Sequence, residues 1–94
     1  MGCQLQDDQL SGVVDFTNLV EIRRIGEARI NEAHEPLSID LSRLEKANSA
    51  AVALLIAWFR AAEAHEISIV FVEVPHELRN IIAFSGLDEV LPLA

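Results

Sequence analysis

The longest apolar run in the chain covers residues 50–59, ten positions without a charged or polar side chain. Asn48 and Ser49, which favour helix starts, precede this run, and Arg60 is the first charged residue after it. The pattern therefore predicts a helix over residues 49–65. Helices of soluble domains usually carry one apolar stripe and one charged face. We expect this helix to be buried on two sides, against its own sheet and against a partner.

A helical wheel at about 100° per residue separates these two sides. The side expected to pack on the sheet contains Ala51, Val52, Leu55, Phe59 and Ala62. The opposite side, expected to bind a partner, contains Ser49, Ala53, Ile56, Ala57, Arg60 and Ala64, with Leu54 and Trp58 at its rim. Trp58 and Arg60 are the first candidate anchors, because both residue types are common in interface hot spots. The alternative is that an Ala-rich surface only raises helix propensity.

Alternating or β-branched apolar residues predict three strands, over residues 10–16, 37–41 and 67–74. A fourth, short strand is compatible with residues 3–6, inside a polar and partly disordered segment of residues 1–8. A helix is expected after an N-cap at Thr17 or Asn18. With Asn18 as the cap, Glu21 is placed to complete a capping box. Another helix is expected from Pro75 to a cap at Gly86. The apolar tail, residues 87–93, is expected to dock as a helical turn or an edge strand.

These elements predict one α/β domain over residues 1–94. Its sheet is expected to be mixed and mostly parallel, with about four strands and three helices.

Charge and composition narrow the possible functions. Seven basic residues are scattered among fifteen acidic ones, giving a net charge of -8, which disfavours nucleic acid as a ligand. The single Cys3 and the lack of a signal peptide are typical of a cytoplasmic protein. Ten apolar residues are fewer than the roughly twenty that cross a bilayer, so direct membrane insertion is not expected.

Residue patterns typical of enzymes and metal sites are missing from the sequence. His34, His65 and His76 occur in separate segments without metal-ligand spacing. Ser49 lacks the Gly-x-Ser-x-Gly elbow of hydrolases, and the isolated glycines form no phosphate loop. We therefore expect no catalytic, cofactor-binding or metal-binding residues.

Ser49 is the candidate modification site. A phosphoryl group at a helix start would lie near unpaired N–H groups and the positive end of the helix dipole. Its added charge, about -1.5 to -2, would also disrupt an apolar partner surface and so act as an off switch. The alternative is that Asn48 or Ser49 only caps the helix, which contributes about 1 kcal/mol.

The segment from Asp40 to Leu55, with its Asp-Leu-Ser start and apolar helix, resembles the STAS domains of sulfate transporters and anti-sigma-factor antagonists. The segment from Leu10 to Phe16 and the Ser85–Leu93 ending are similar to the same family. Where the family has Asp-Ser/Thr-x-Gly, this chain has Asn48-Ser49-Ala50-Ala51.

Two functions follow from this resemblance. The short domain is most similar to the STAS subunits of Mla phospholipid-transport systems. This similarity implies a non-enzymatic cytoplasmic subunit bound to the MlaF-like ATPase of an inner-membrane ABC transporter, through the surface around Ser49. The alternative is an anti-sigma-factor antagonist that a partner kinase phosphorylates on Ser49. A third possibility, which the exposed helix face alone allows, is a homodimer.

Overall fold

The computed structural model describes residues 2–94; Met1, the first residue of the segment expected to fray, lies outside the described residues. The seven elements in chain order are β1 (Cys3–Gln6), β2 (Gln9–Gly12), α1 (Leu19–Glu32), β3 (Leu37–Leu44), α2 (Ser49–Ala64), β4 (Ile69–Val72) and α3 (His76–Phe84).

The four strands form one mixed sheet in the order β1-β2-β3-β4. β1 and β2 form an antiparallel hairpin, whereas β2, β3 and β4 run parallel. The β2–α1–β3 and β3–α2–β4 connections each lead to the next strand in the same direction along the sheet. Two right-handed connections in the same direction place their helices, α1 and α2, on the same face of the sheet. The predicted α/β fold, with a mostly parallel sheet of four strands and three helices, is confirmed.

Alternating burial along β3 shows which face of the sheet carries the core. Leu37, Ile39 and Leu41 are buried under the helices, whereas Ser38 points to solvent on the other face. β4 repeats the pattern with buried Ile69 and Phe71. The molecule is therefore a two-layer structure, with helices on one side and an open sheet face on the other.

The β1–β2 turn consists of Asp7 and Asp8, both with positive φ (53° and 61°). Two such residues are typical of the type I′ hairpin turn, whose twist matches that of the strands. Arg29 of α1 donates from Nε to Oδ1 of Asp8 at 2.8 Å and from Nη2 to Oδ2 at 3.1 Å. These bonds raise the pKa of the Arg29 guanidinium and join the turn to α1.

The segment before α1 differs from the prediction. β2 ends at Gly12, whose φ of 95° turns the chain, instead of continuing to residue 16. Asn18 is the N-cap residue, but its side chain points back to the loop, where Oδ1 accepts from Asp15 N at 2.9 Å and Nδ2 donates to Val13 O at 2.8 Å. The capping box predicted with Glu21 is therefore wrong.

The chain after β4 closes the core. Gly86 ends α3 with φ 72°, and its N–H bonds to Ala83 O while Leu87 N bonds to Ile82 O, the Schellman pattern of helix ends. The tail then makes a turn and forms a single parallel bridge from Leu93 to Phe71. It thus combines the two predicted forms, a helical turn and an edge pairing.

Candidate functional site

The start of α2 is shaped by Asn48, which has an extended backbone just before the helix. Its Oδ1 accepts a hydrogen bond from Ala51 N at 2.8 Å, and its Nδ2 donates to Val14 O at 2.9 Å. Asn48 is therefore the capping residue. Ser49, the first residue of α2, is exposed to solvent.

The outward side of α2 brings together five of the predicted partner-binding residues. Ser49 and Arg60 are exposed, and between them lie Ala53, Ile56 and Ala57, each half-buried. We call these five residues the α2 face. Its centre is small and apolar, and the first turn of the helix contains no acidic residue. A surface of this kind fits a protein backbone or a packed helix better than a small polar ligand.

Leu54 and Trp58 do not lie at the rim of this face, and their predicted position is wrong. Both side chains are 0% exposed. The indole of Trp58 packs against Gly26 of α1, where a methyl group would overlap the ring, and its Nε1 donates to Arg23 O at 3.1 Å. Because Gly26 leaves room between the helices, the ring enters the core. Leu54 and Trp58 therefore belong to the domain's own packing.

Large exposed apolar side chains occur on both flanks of α2. On one flank are Phe16 in the β2–α1 loop, 71% exposed, and Val20 in the first turn of α1, 54% exposed. On the other flank is Phe84, the last residue of α3, 93% exposed. The sequence pattern placed Phe16 inside a strand. The Asp-Phe-Thr-Asn run was the available signal for a turn, because Asp and Asn side chains often fold back on their own backbone.

Asp15 organises that loop. Its Oδ1 accepts hydrogen bonds from Thr17 N at 2.8 Å, Thr17 Oγ1 at 2.5 Å and Asn18 N at 3.0 Å. The bond from the Thr17 hydroxyl, followed by those from backbone N–H groups, lowers the pKa of the Asp15 carboxyl. Phe16 is thus presented to solvent by a short turn with a defined shape.

Other candidate chemistry does not come together in the described part of the chain. Within residues 2–94, His, Cys, Asp and Glu side chains form no group of three or more that could hold a metal ion. Burial, with a smaller contribution from Asp15, raises the pKa of the Cys3 thiol to about 11. Across the same residues, none of the helices has both the length and the apolar character needed to cross a membrane.

Comparison with protein families gives a match over almost the whole sequence. The family described as "Mlab, STAS domain" matches residues 4–92. The chain belongs to this STAS domain family.

Solved structures share the same STAS fold. One chain of the Acinetobacter MlaFEDB complex in its ATP-bound Vtrans2 conformation is 32% identical, with all of both chains covered and a TM-score of 0.82. The STAS domain is thus MlaB-like in sequence and structure. Comparison with curated protein sequences gives no match.

Anti-sigma factor antagonists share the fold at lower identity. A putative antagonist from Thermotoga maritima is 11% identical, covering 98% of this chain and 83% of that one, with a TM-score of 0.72. The antagonist SpoIIAA in its unphosphorylated form is 21% identical, with 99% and 88% covered and a TM-score of 0.71. At these identities the likeness shows the STAS fold alone.

Proposed function

We propose that this STAS domain is a non-enzymatic subunit of an ABC-type phospholipid transporter, bound to its cytoplasmic MlaF-like ATPase. The observation that carries the proposal is the full-length similarity to a chain of the MlaFEDB complex, at 32% identity. Hydrolysis belongs to the partner. The STAS domain would stabilise particular conformations of the ATPase and so support its assembly and activity. It would lie on the cytoplasmic side of the inner membrane through that partner, and the transporter would maintain outer-membrane lipid asymmetry.

The α2 face supports this function as the contact surface. Ala53 and Ala57 allow a second backbone to approach closely, and Ile56 adds apolar area between them and Arg60. Small residues at the centre with a charged residue at the edge match the apolar core and polar rim of protein interfaces. Ser49 lies at the end of the face, where a larger or charged side chain would separate the two proteins.

Co-purification tests the proposal. A tagged wild-type chain should recover the transporter ATPase from detergent-solubilised membranes, whereas Ser49→Arg should recover roughly a tenth or less, because a buried unpaired charge is costly. Ser38→Arg is the matched control, since Ser38 is exposed on the opposite face of the sheet and should not reduce recovery. Failure of the wild-type chain to recover any transporter ATPase would refute the function.

A second candidate function is anti-sigma-factor antagonism switched by phosphorylation. The observation that favours it is the exposed Ser49 at the start of α2, where N–H groups and the helix dipole favour an added phosphoryl group. Asn48 already caps the helix, so the Ser49 hydroxyl is available.

Incubation with a cognate anti-sigma-factor kinase and ATP tests this second function. Intact-mass spectrometry should show the addition of one phosphoryl group to the wild type and none to Ser49→Ala. An unchanged wild-type mass, or an equal gain in both proteins, would count against modification of Ser49.

A further inference from the structure

The α2 face is too small to hold a stable partner by itself. A helix of sixteen residues is about 24 Å long and about 10 Å wide, so its exposed side offers roughly 240 Å². Stable protein interfaces bury about 800 Å² on each partner. A partner that binds the α2 face must therefore also cover surface beside it, on the flank of α1 or on that of α3.

The α1 flank offers apolar side chains next to the α2 face. Arg29 bonds to Asp8 of the β1–β2 turn, and Val20 lies about 180° from Arg29 around α1, so Val20 is on the side of α1 that faces away from β1 and towards α2. Phe16 lies two residues after Val14, whose carbonyl is bonded to Asn48. Phe16 and Val20 therefore add exposed apolar area on the α1 flank, beside the start of α2.

The loop that carries Phe16 is fixed before any partner binds. Asp15 and Asn18 hold its turn by reciprocal hydrogen bonds, with Asp15 N donating to Asn18 Oδ1 at 2.9 Å and Asn18 N donating to Asp15 Oδ1 at 3.0 Å. A surface that is already ordered loses less conformational entropy on binding, which raises affinity for a given area. The turn after Phe84 is also held by hydrogen bonds, but among the described residues none of them joins it to the start of α2, as Asn48 joins the β2–α1 loop.

We propose that the ATPase binds the β2–α1 loop together with the α2 face, with Phe16 as the main apolar anchor and Val20 beside it. Asn48 is a positioning residue in this arrangement, because its amide joins the loop to the start of α2. The inference rests on the proposed function and names the part of the surface that supplies most of the affinity.

Binding of the purified MlaF-like ATPase from the same genome tests the inference, using the full chain and isothermal titration calorimetry. Phe16→Ser should raise Kd roughly tenfold or more, as expected for loss of an interface anchor. Phe84→Ser removes an even more exposed phenylalanine on the other flank and should leave Kd within about twofold. Thermal melts of both variants verify that they are folded, since neither side chain is part of the core.

Asn48→Asp tests the positioning role. Aspartate keeps the acceptor for Ala51 N but loses the donor to Val14 O, so the helix cap is preserved while the loop is released. Kd should rise in the single variant, and Asn48→Asp should have little further effect once Phe16 is serine. Such non-additivity is the signature of two residues that act through one contact, whereas a general loss of stability would add in both backgrounds.

Four results would overturn the inference. If Phe16→Ser binds normally while Ser49→Arg does not bind, the anchor is wrong and the proposed function stands. If Phe84→Ser weakens binding as much as Phe16→Ser, the partner covers the α3 flank instead. If sedimentation shows that Phe16→Ser converts a dimer to a monomer, the surface is filled by a second copy of the chain. If the wild-type chain binds no ATPase, the function and the inference fail together.

Discussion

Asn48 makes two hydrogen bonds with opposite roles, accepting from the first turn of α2 and donating to the β2–α1 loop. An amide can do both, whereas a carboxylate has no donor at neutral pH. The STAS pattern has Asp at this position, so the change to Asn adds a contact between two segments. A residue that looks like a conservative departure from the family pattern therefore joins the β2–α1 loop to the start of α2.

Asp15 gives a residue-level prediction for pH dependence. Hydrogen bonds from Thr17 and from the Asn18 backbone lower its pKa in the folded state. A carboxyl whose folded pKa is depressed stabilises the fold above its unfolded pKa, about 3.9, and this stabilisation is lost as the pH falls through the folded pKa. Asp15→Asn should therefore unfold at lower urea concentration than wild type at pH 7, and the difference should shrink towards pH 3.

Asp88→Asn is the matched control, because Asp88 is exposed in the turn after α3. It removes the same formal charge far from the Asp15 turn. A gap between Asp15→Asn and wild type that stays constant from pH 7 to pH 3, or an equal gap for the control, would contradict the assigned cause.

Trp58 shows why the candidate site was only partly predictable at this scale. Periodicity gives the direction of a side chain around its own helix, and it correctly placed Ser49, Ala53 and Arg60 on the outward side. Whether that side chain is buried also depends on the residues of the neighbouring helix. Here Gly26, more than thirty positions earlier, leaves the space that the indole fills.

The ends of α2 and α3 are built alike but from different residues. α2 ends with Glu66 at φ 57°, and Glu66 N bonds to Glu63 O while Ile67 N bonds to Ala62 O. This is the Schellman pattern seen at Gly86, where φ is 72°. A left-handed conformation is costly for a residue with a Cβ and not for glycine. The end of α2 is therefore strained, whereas the end of α3 is relaxed.

Substitutions at these two helix ends should have opposite effects on stability. Glu66→Gly should increase the free energy of unfolding by about 0.5–1 kcal/mol by relieving the strain, even though glycine is more flexible when unfolded. Gly86→Ala should decrease it by about 1 kcal/mol, because space is available there and only the conformation is unfavourable. Urea denaturation of both variants measures the effects, and changes of equal sign would contradict the explanation.

Helices were easier to predict from sequence than strand lengths. The apolar run predicts the long helix at residues 49–65, and it is found at Ser49–Ala64, since the run begins directly after the capping residue. The strand predicted over residues 67–74 is only Ile69–Val72, the part that pairs with β3. Strand limits depend on the partner strand and its register, which local alternation does not contain.

At the scale of the whole molecule, the one-directional path of the chain across the sheet is the dominant feature. This path places α1 and α2 on the same side of the sheet. The α2 face, Phe16 and Val20 therefore all belong to the helical layer. The MlaB-like family membership and this one-sided arrangement agree with a subunit that docks through its helical layer. A net charge of -8 on such a small domain opposes self-association.

Because the helices cover only one side of the sheet, the other side offers positions for attaching labels. Gln4 of β1 and Ser38 of β3 are both exposed there, on the side turned away from the helices. Under the proposed docking through the α2 face, a fluorophore or a cross-linker attached at either position through an introduced cysteine would point away from the ATPase. Labelling at these two points would let the subunit be followed inside the complex without disturbing its attachment.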